Sequence, residues 1–147
     1  SFIGGEESGG FAYSNHLIER DGIMSALLLL ESLSYSKEKP SDLLKDLNKK
    51  LGNHFYKRID IPIEKKNNIN NINQFLKDPK ISTFLGKKIT KLDKTDGLKI
   101  NLENGDWIAL RLSGTEPLIR FYCESSNQSQ LDSMLNEILK KLDISIS

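Results

Sequence analysis

Cysteine is almost missing from the 147 residues: Cys123 stands alone, so no internal disulfide can form, and a reducing, cytoplasmic setting fits. Cys123 alternates with Ile119 and Phe121, which places it in a core rather than in a nucleophilic site. Long apolar runs are also missing. The longest is Leu27 to Leu30, with Ile23, Met24 and Ala26 just before it, far short of the ~20 residues that cross a bilayer. No signal peptide is visible. Neither sign of charge is in excess. The formal net charge is +1, so no global field draws the chain to nucleic acid or membrane, and any anion must be held locally. A row of aromatic residues for stacking bases is not evident, which further weakens a nucleic-acid reading. No internal repeat appears.

What is present suits a folded domain: 37% apolar and 28% charged residues. Phe2 and Ile3 read as the end of a strand running into a glycine-rich loop, Gly4-Gly5-Glu6-Glu7-Ser8-Gly9-Gly10. In an extended segment Glu6 and Ser8 point the same way and Glu7 away. A carboxylate and a hydroxyl on one side can take vicinal sugar hydroxyls, or they can simply face water. Phe11 to Glu19 reads as a loop containing His16, one of two histidines. Asp21 is a plausible N-cap for a helix to Ser34 that is apolar nearly all round, so the helix should be sandwiched. Pro40-Ser41 opens a second helix, with Ser41 as cap, Leu43, Leu44, Leu47 and Leu51 on one face and Gly52 closing it.

From Asn53 and His54 the pattern changes to α+β. Phe55 to Ile63 reads as a strand that Pro62 confines to an edge or to its end. Lys65 to Asn73 is rich in Lys and Asn and would pass for a linker, but Ile69, Ile72, Phe75 and Leu76 fall at helical spacing, so a helix from Glu64 to Lys77 is expected, its Lys pair solvated. Lys88 to Glu124 reads as a meander of about four strands, with hairpin turns at Asp96-Gly97 and Asn104-Gly105. Ile108, Leu110 and Leu112 take one face, Trp107, Ala109 and Arg111 the other. A last helix from Ser129 to Leu142 carries a stripe of Leu131, Met134, Leu135, Ile138, Leu139 and Leu142.

The rest of the chain is organised around Arg111-Leu112-Ser113-Gly114-Thr115-Glu116-Pro117-Leu118-Ile119-Arg120. A turn of small, hydroxylated residues lies between two strands and two arginines. It can offer one small anion backbone N–H groups, two hydroxyls and two guanidinium forks, each able to donate two parallel hydrogen bonds. Gly114 would let the backbone approach closely or take φ > 0. The same stretch would also serve as an ordinary hairpin with surface arginines.

This stretch resembles the phosphate-binding loop of the C-terminal domain of the α-D-phosphohexomutases, the phosphoglucomutase/phosphomannomutase family. About a hundred residues earlier, Gly4 to Gly10 followed by Arg20-Asp21-Gly22-Ile23 resembles the family's sugar-recognition loop and the helix start behind it. The resemblance implies that residues 1–53 are the C-terminal part of the third, sugar-binding α/β domain. It makes 54–147 the fourth, phosphate-binding α+β domain, an antiparallel sheet packed by helices and similar to the TATA-box-binding protein. It implies that Glu6, Ser8 and Arg20 contact the sugar end, Arg20 matching a basic residue that touches the substrate phosphate. Arg111, Ser113, Gly114, Thr115 and Arg120 would bind phosphate. His16 lies where glucose-specific members carry a histidine.

The resembled enzymes are isomerases. They move a phosphoryl group between C1 and C6 of a hexose through a bisphosphate, glucose 1,6-bisphosphate for glucose. A phosphoserine and a carboxylate-bound Mg²⁺ on the first two domains support the transfer. Neither loop has a counterpart here: Asp93, Asp96 and Asp106 are scattered among hairpin turns, and no catalytic or metal-binding residue is assigned. The chain begins at Ser1, close to a functional loop, and reads as a C-terminal piece that recognises but does not transfer. Its expected partners are the phosphosugar and the remaining domains of a longer chain. The Glu-Glu-Ser-Gly-Gly run looks glucose-preferring. Phosphomannomutase and phosphoglucosamine mutase stay open, as does a stand-alone phosphosugar-binding module.

Overall fold

Two periodicities build the C-terminal part, and a computed structural model of the chain shows both. The structure describes residues 2–6, 8–17, 19–63 and 66–144, with the side chains of 66–68 outside the description. The chain divides into two units, Ser1–Leu51 and Gly52–Ser147.

In the second unit, alternation with period two writes the strands. These are β3 (Phe55–Pro62), a short β4 (Thr83–Phe84), β5 (Lys87–Asp93), β6 (Leu98–Leu102), β7 (Trp107–Leu112) and β8 (Leu118–Ser125). They form one antiparallel sheet of order β3-β8-β7-β6-β5-β4. β5 to β8 are the expected meander. β3, first in sequence, pairs with β8, last in sequence, from Phe55↔Ser125 to Pro62↔Leu118. It is an edge strand, where proline is tolerated because the missing N–H breaks no inner ladder.

One face of this sheet is the core. Leu98, Ile100, Ile108, Leu110, Ile119, Phe121 and Cys123 are fully buried on it. Helix α4 (Gln128–Lys141) closes it with Leu131, Met134, Leu135, Ile138 and Leu139, and Leu142 follows. Each such side chain contributes roughly 1.5–3 kcal/mol by leaving water. The Asn127 carboxamide caps α4, accepting from Ser129 N and Gln130 N, so the helix starts one residue ahead of the expected Ser129. Helix α3 (Lys66–Lys77) adds Ile72 to the core, with Phe75 and Leu76 packed against it. The helical reading of that Asn-rich stretch therefore holds, while Glu64, Lys65 and the solvation of the Lys pair lie outside the described residues.

A buried carboxylate ties β5 and the β6–β7 turn to the segment that leads into α4. Asp106 is 2% exposed. It accepts from Asn104 Nδ2 at 2.6 Å, Lys87 Nζ at 3.2 Å and Ser126 N at 3.4 Å. Burial pushes its carboxyl up, but hydrogen bonds from Asn104, Ser125 and Lys87 outweigh burial and hold it below its ordinary 3.8.

The first unit is smaller. β1 (Ile3–Gly5) pairs with β2 (Phe11–Tyr13), and α1 (Gly22–Ser36) and α2 (Pro40–Leu51) follow. Three expectations are corrected here. Phe11 to Glu19 is not all loop, because Phe11–Tyr13 pairs back on β1 through the glycine-rich turn. Ser41 is not the cap of α2: Pro40 already occupies its first turn, where its missing N–H is harmless, and Asp42 N bonds back to Lys39 O. Helix α1 is not sandwiched. None of its residues is buried, and Ile23 is 78% and Leu30 62% exposed. Among the described residues, the unit's sheet is two strands of three residues, too small to cover such a helix. Asp21 caps α1 as expected, accepting from Ile23 N and Met24 N at 2.9 Å.

Two expectations follow from the core. Burial pushes the Cys123 thiol up to about 12, so it should not react with iodoacetamide in the native chain and should react once the chain is unfolded; native labelling at a similar rate would contradict its place in the core. Asp106 has a lowered folded pKa, so its contribution is complete above the unfolded value near 3.8 and is lost as pH falls. Asp106→Asn should therefore destabilise the chain at pH 7 and flatten the acid limb of its urea-midpoint profile. A profile parallel to wild type would contradict this.

Candidate functional site

The phosphate-candidate stretch joins β7 to β8, so its geometry follows from strand register. Arg111 and Arg120 are Cα partners across the ladder. Both side chains leave the face opposite the core, as the alternation requires: Leu110, Ile119 and Phe121 are buried, Arg111 is exposed and Arg120 half-buried. Two like charges directly opposite on a sheet repel. The structure surrounds them with carboxylates. Arg111 Nη1 lies 2.9 Å from Asp96 Oδ2. Arg120 Nη2 lies 3.8 Å from Glu116 Oε2, and Arg120 Nε 3.5 Å from Asp60 Oδ2. The Nε contact is an ion pair without hydrogen-bond geometry, and the nitrogen is buried with no hydrogen-bond partner. Asp60 is itself gripped by Arg58, whose Nε and Nη2 donate to its two oxygens at 2.9 and 2.8 Å. That bond, with the charges of Arg58 and Arg120, holds the Asp60 carboxyl below its usual range.

The turn between the strands closes on itself. Ser113 N donates to Leu118 O at 2.9 Å, and Leu118 N to Glu116 O at 2.8 Å. Thr115 N and Glu116 N both donate to Ser113 Oγ, at 3.4 and 3.3 Å. Two N–H groups thus converge on one oxygen, the arrangement that cradles an anion oxygen. At these lengths the hydroxyl holds them weakly. Gly114 does not take positive φ, so that part of the expectation is corrected. A Cβ at Gly114 would meet nothing within 4 Å, which leaves the turn open above it.

Gly97 is the glycine that the site requires. Its φ is +85°, and a Cβ there would sit 2.1 Å from Leu110 O and 3.1 Å from Arg111 Cα. The β5–β6 turn therefore lies against the backbone of β7, which delivers Asp96 to Arg111.

The sugar-candidate residues lie in the first unit. Glu6 Oε2 accepts from Arg20 Nη1 at 2.6 Å and from Ser8 Oγ at 3.3 Å, so the three residues named from the sequence meet. They meet through a hairpin turn, not along an extended strand as expected: Glu6 N donates to Gly10 O at 2.8 Å and Gly9 takes φ +87°. Gly10 lies under the pair, where a Cβ would come within 2.7 Å of Arg20 Cδ and 3.3 Å of Glu6 Oε2. Glu7 lies outside the described residues. His16 Nε2 lies 2.7 Å from Asp21 Oδ2, so this imidazole braces the start of α1. Hydrogen bonds from Met24 N and then from His16 hold the Asp21 carboxyl below 3.8.

Asp60, Arg58 and Asp96 were not picked out as site residues from the sequence, where Asp96 stood only for a turn. Arg58 and Asp60 share a face because they are two apart and alternate with Ile59 and Ile61, a signal that was readable. The pairing of β3 with β8, which brings them to Arg120, leaves no local trace.

Comparison with known proteins gives the family. Residues 37–141 match the domain described as "Phosphoglucomutase/phosphomannomutase, C-terminal domain", and residues 1–51 match "Phosphoglucomutase/phosphomannomutase, alpha/beta/alpha domain III". The chain belongs to the phosphoglucomutase/phosphomannomutase family. A "Phosphoglucomutase/phosphomannomutase" of Thermococcus kodakarensis is 31% identical over 141 residues, covering 96% of this chain and 28% of the relative. A "Phosphoglucosamine mutase" of Methanocaldococcus jannaschii is 30% identical over 150 residues, covering 99% and 30%. The chain thus spans less than a third of the length of these relatives. A crystal structure of a phosphoglucomutase/phosphomannomutase family protein from Burkholderia thailandensis superposes with TM-score 0.68 at 21% identity, over 97% of this chain and 28% of that one, and supports the fold.

Gly97→Ala should combine the left-handed penalty of about 1–2 kcal/mol with a backbone collision. We expect loss of well over 1 kcal/mol in urea unfolding and shifted amide signals at Leu110 and Arg111. Wild-type stability in this variant would show that the turn does not press on β7.

Proposed function

We propose that this chain is the substrate-recognising portion of a phosphohexomutase that interconverts glucose 1-phosphate and glucose 6-phosphate through the bisphosphate. In this reading Arg111, Ser113, Gly114, Thr115 and Arg120 hold the non-reacting phosphate, and Glu6, Ser8 and Arg20 hold the sugar end. The observation that carries it is the joint one at the β7–β8 turn: two guanidinium groups paired across the ladder beside two N–H groups converging on a single oxygen. Family membership supports the substrate class.

Recognition and transfer separate in this reading. No group of three or more His, Cys, Asp or Glu among the described residues is placed to hold a metal ion. The phosphoserine and metal are proposed to belong to other domains of the parent protein. Those domains are also the proposed partners of α1, whose apolar residues stay exposed here. An intermediate that turns end for end needs contacts indifferent to which end arrives. A carboxylate–hydroxyl pair for vicinal hydroxyls and a turn that reads only a phosphate meet that need. Glucose preference rests on Gly9 and Gly10 after Ser8. An amino-sugar phosphate is the second reading, favoured by the names of relatives such as the Methanocaldococcus jannaschii protein.

Charge-assisted hydrogen bonds contribute about 1.5–3 kcal/mol each, largely offset by desolvation and lost freedom. We expect inorganic phosphate to bind with a dissociation constant on the order of millimolar, roughly 4 kcal/mol. Amide NMR shifts should concentrate at Ser113 to Glu116, and Arg111→Lys should weaken them by losing the fork. If the largest shifts fall elsewhere, or Arg111→Ala leaves them unchanged, the phosphate reading fails. Glucose 6-phosphate and glucosamine 6-phosphate in the same titration separate the two sugar readings, because only the preferred sugar should add shifts at Glu6 and Ser8.

A further inference from the structure

Asp96 stands out because the fold goes to some length to place it. The β5–β6 turn approaches β7 so closely that only glycine fits at position 97, and the result is an exposed carboxylate 2.9 Å from Arg111 Nη1. Neither group needs the other for burial: Asp96 is 65% and Arg111 49% exposed at the side chain. An exposed ion pair of this kind adds little to stability, so stability alone does not account for it.

We infer that Asp96 is an internal competitor for the phosphate site: its carboxylate occupies Arg111 until a phosphate displaces it, and it thereby sets the threshold for the anions the site accepts. This rests on the phosphate reading of the β7–β8 turn. A carboxylate tethered next to its partner acts at an effective concentration on the order of millimolar or more. A free carboxylate or other singly charged anion offers Arg111 nothing that Asp96 does not already supply. A dianionic phosphate offers more charge, and it can bond to Arg111 and the turn N–H groups together. The competitor thus costs every ligand the same, and only a ligand that spans both sets of donors recovers the loss. Glu116 lies at 3.8 Å from Arg120, a looser contact, and is expected to compete less.

The test is an inorganic phosphate titration of the whole chain at pH 7.5, read by amide NMR at Ser113 to Glu116. Asp96→Asn removes the charge and keeps the turn, because Asn-Gly serves there as well as Asp-Gly. Binding should tighten by about threefold, the size of an exposed ion pair. Glu103→Gln removes the same unit charge from the β6–β7 turn at the other end of β6, and it should leave binding unchanged. Equal tightening in both variants would reduce the effect to net charge and overturn the proposal. Unchanged or weaker binding in Asp96→Asn alone would overturn it too, the weaker case assigning Asp96 to holding Arg111 in place. If wild type shows no phosphate-dependent shifts at the turn, the phosphate reading itself falls. Clear wild-type shifts with no gain in Asp96→Asn defeat the competitor alone.

Discussion

Arg111 and Arg120 are partners across β7 and β8, and the carboxylates gathered around them answer to that repulsion. Strand register makes the pairing unavoidable: once Leu110 and Phe121 are partners in the core, Arg111 and Arg120 must be partners outside it. A sheet would normally avoid such a pair. Here three carboxylates come in from three different elements, Asp96 from the β5–β6 turn, Glu116 from the loop itself and Asp60 from β3. The positive charge is balanced but not consumed. Arg120 keeps a buried Nε with no hydrogen bond, 3.5 Å from the Asp60 oxygen to which Arg58 donates. Under the proposed phosphate reading, donors held in this way are in place before an anion arrives, which lowers the ordering cost of binding.

The division of labour between the two faces of the sheet explains what was legible in the sequence. The core faces of β6 to β8 and of α4 were readable residue by residue, because one face is buried and a slip of one residue in a strand would expose every core side chain. The alternation around Ile108 and Phe121 carries that information, and so does the stripe from Leu131 to Leu142. Arg111 could be placed on the outer face by the same count. What it touches there could not be read. Its contact with Asp96 depends on how closely one turn approaches a neighbouring strand, and Asp-Gly in a sequence announces only a turn. The pairing of β3 with β8 was likewise hidden, since strand order in a sheet is decided by packing over a long separation.

The first unit was legible in its caps and not in its packing. Asp21 caps α1 through bonds to Ile23 N and Met24 N, and Gly52 takes φ +90° just after α2, both local features. The cover for α1 is a long-range matter, and composition could say only that such a helix wants burial. The Glu6, Ser8 and Arg20 contact is intermediate. The residues were picked by resemblance, and the structure brings them together by a different route, a hairpin tightened at Gly9 instead of an extended strand.

The strand order has a temporal side. β3 leaves the chain's start of its unit first, yet its hydrogen-bonding partner is β8, and Phe55 waits for Ser125. Closing that span costs loop entropy before any contact repays it. Folds dominated by such distant pairings assemble slowly. On a ribosome, the meander from β5 to β7 can zip up while β3 still hangs as an unpaired edge. The contact of Asp60 with Arg120 cannot form until β8 has emerged to meet β3.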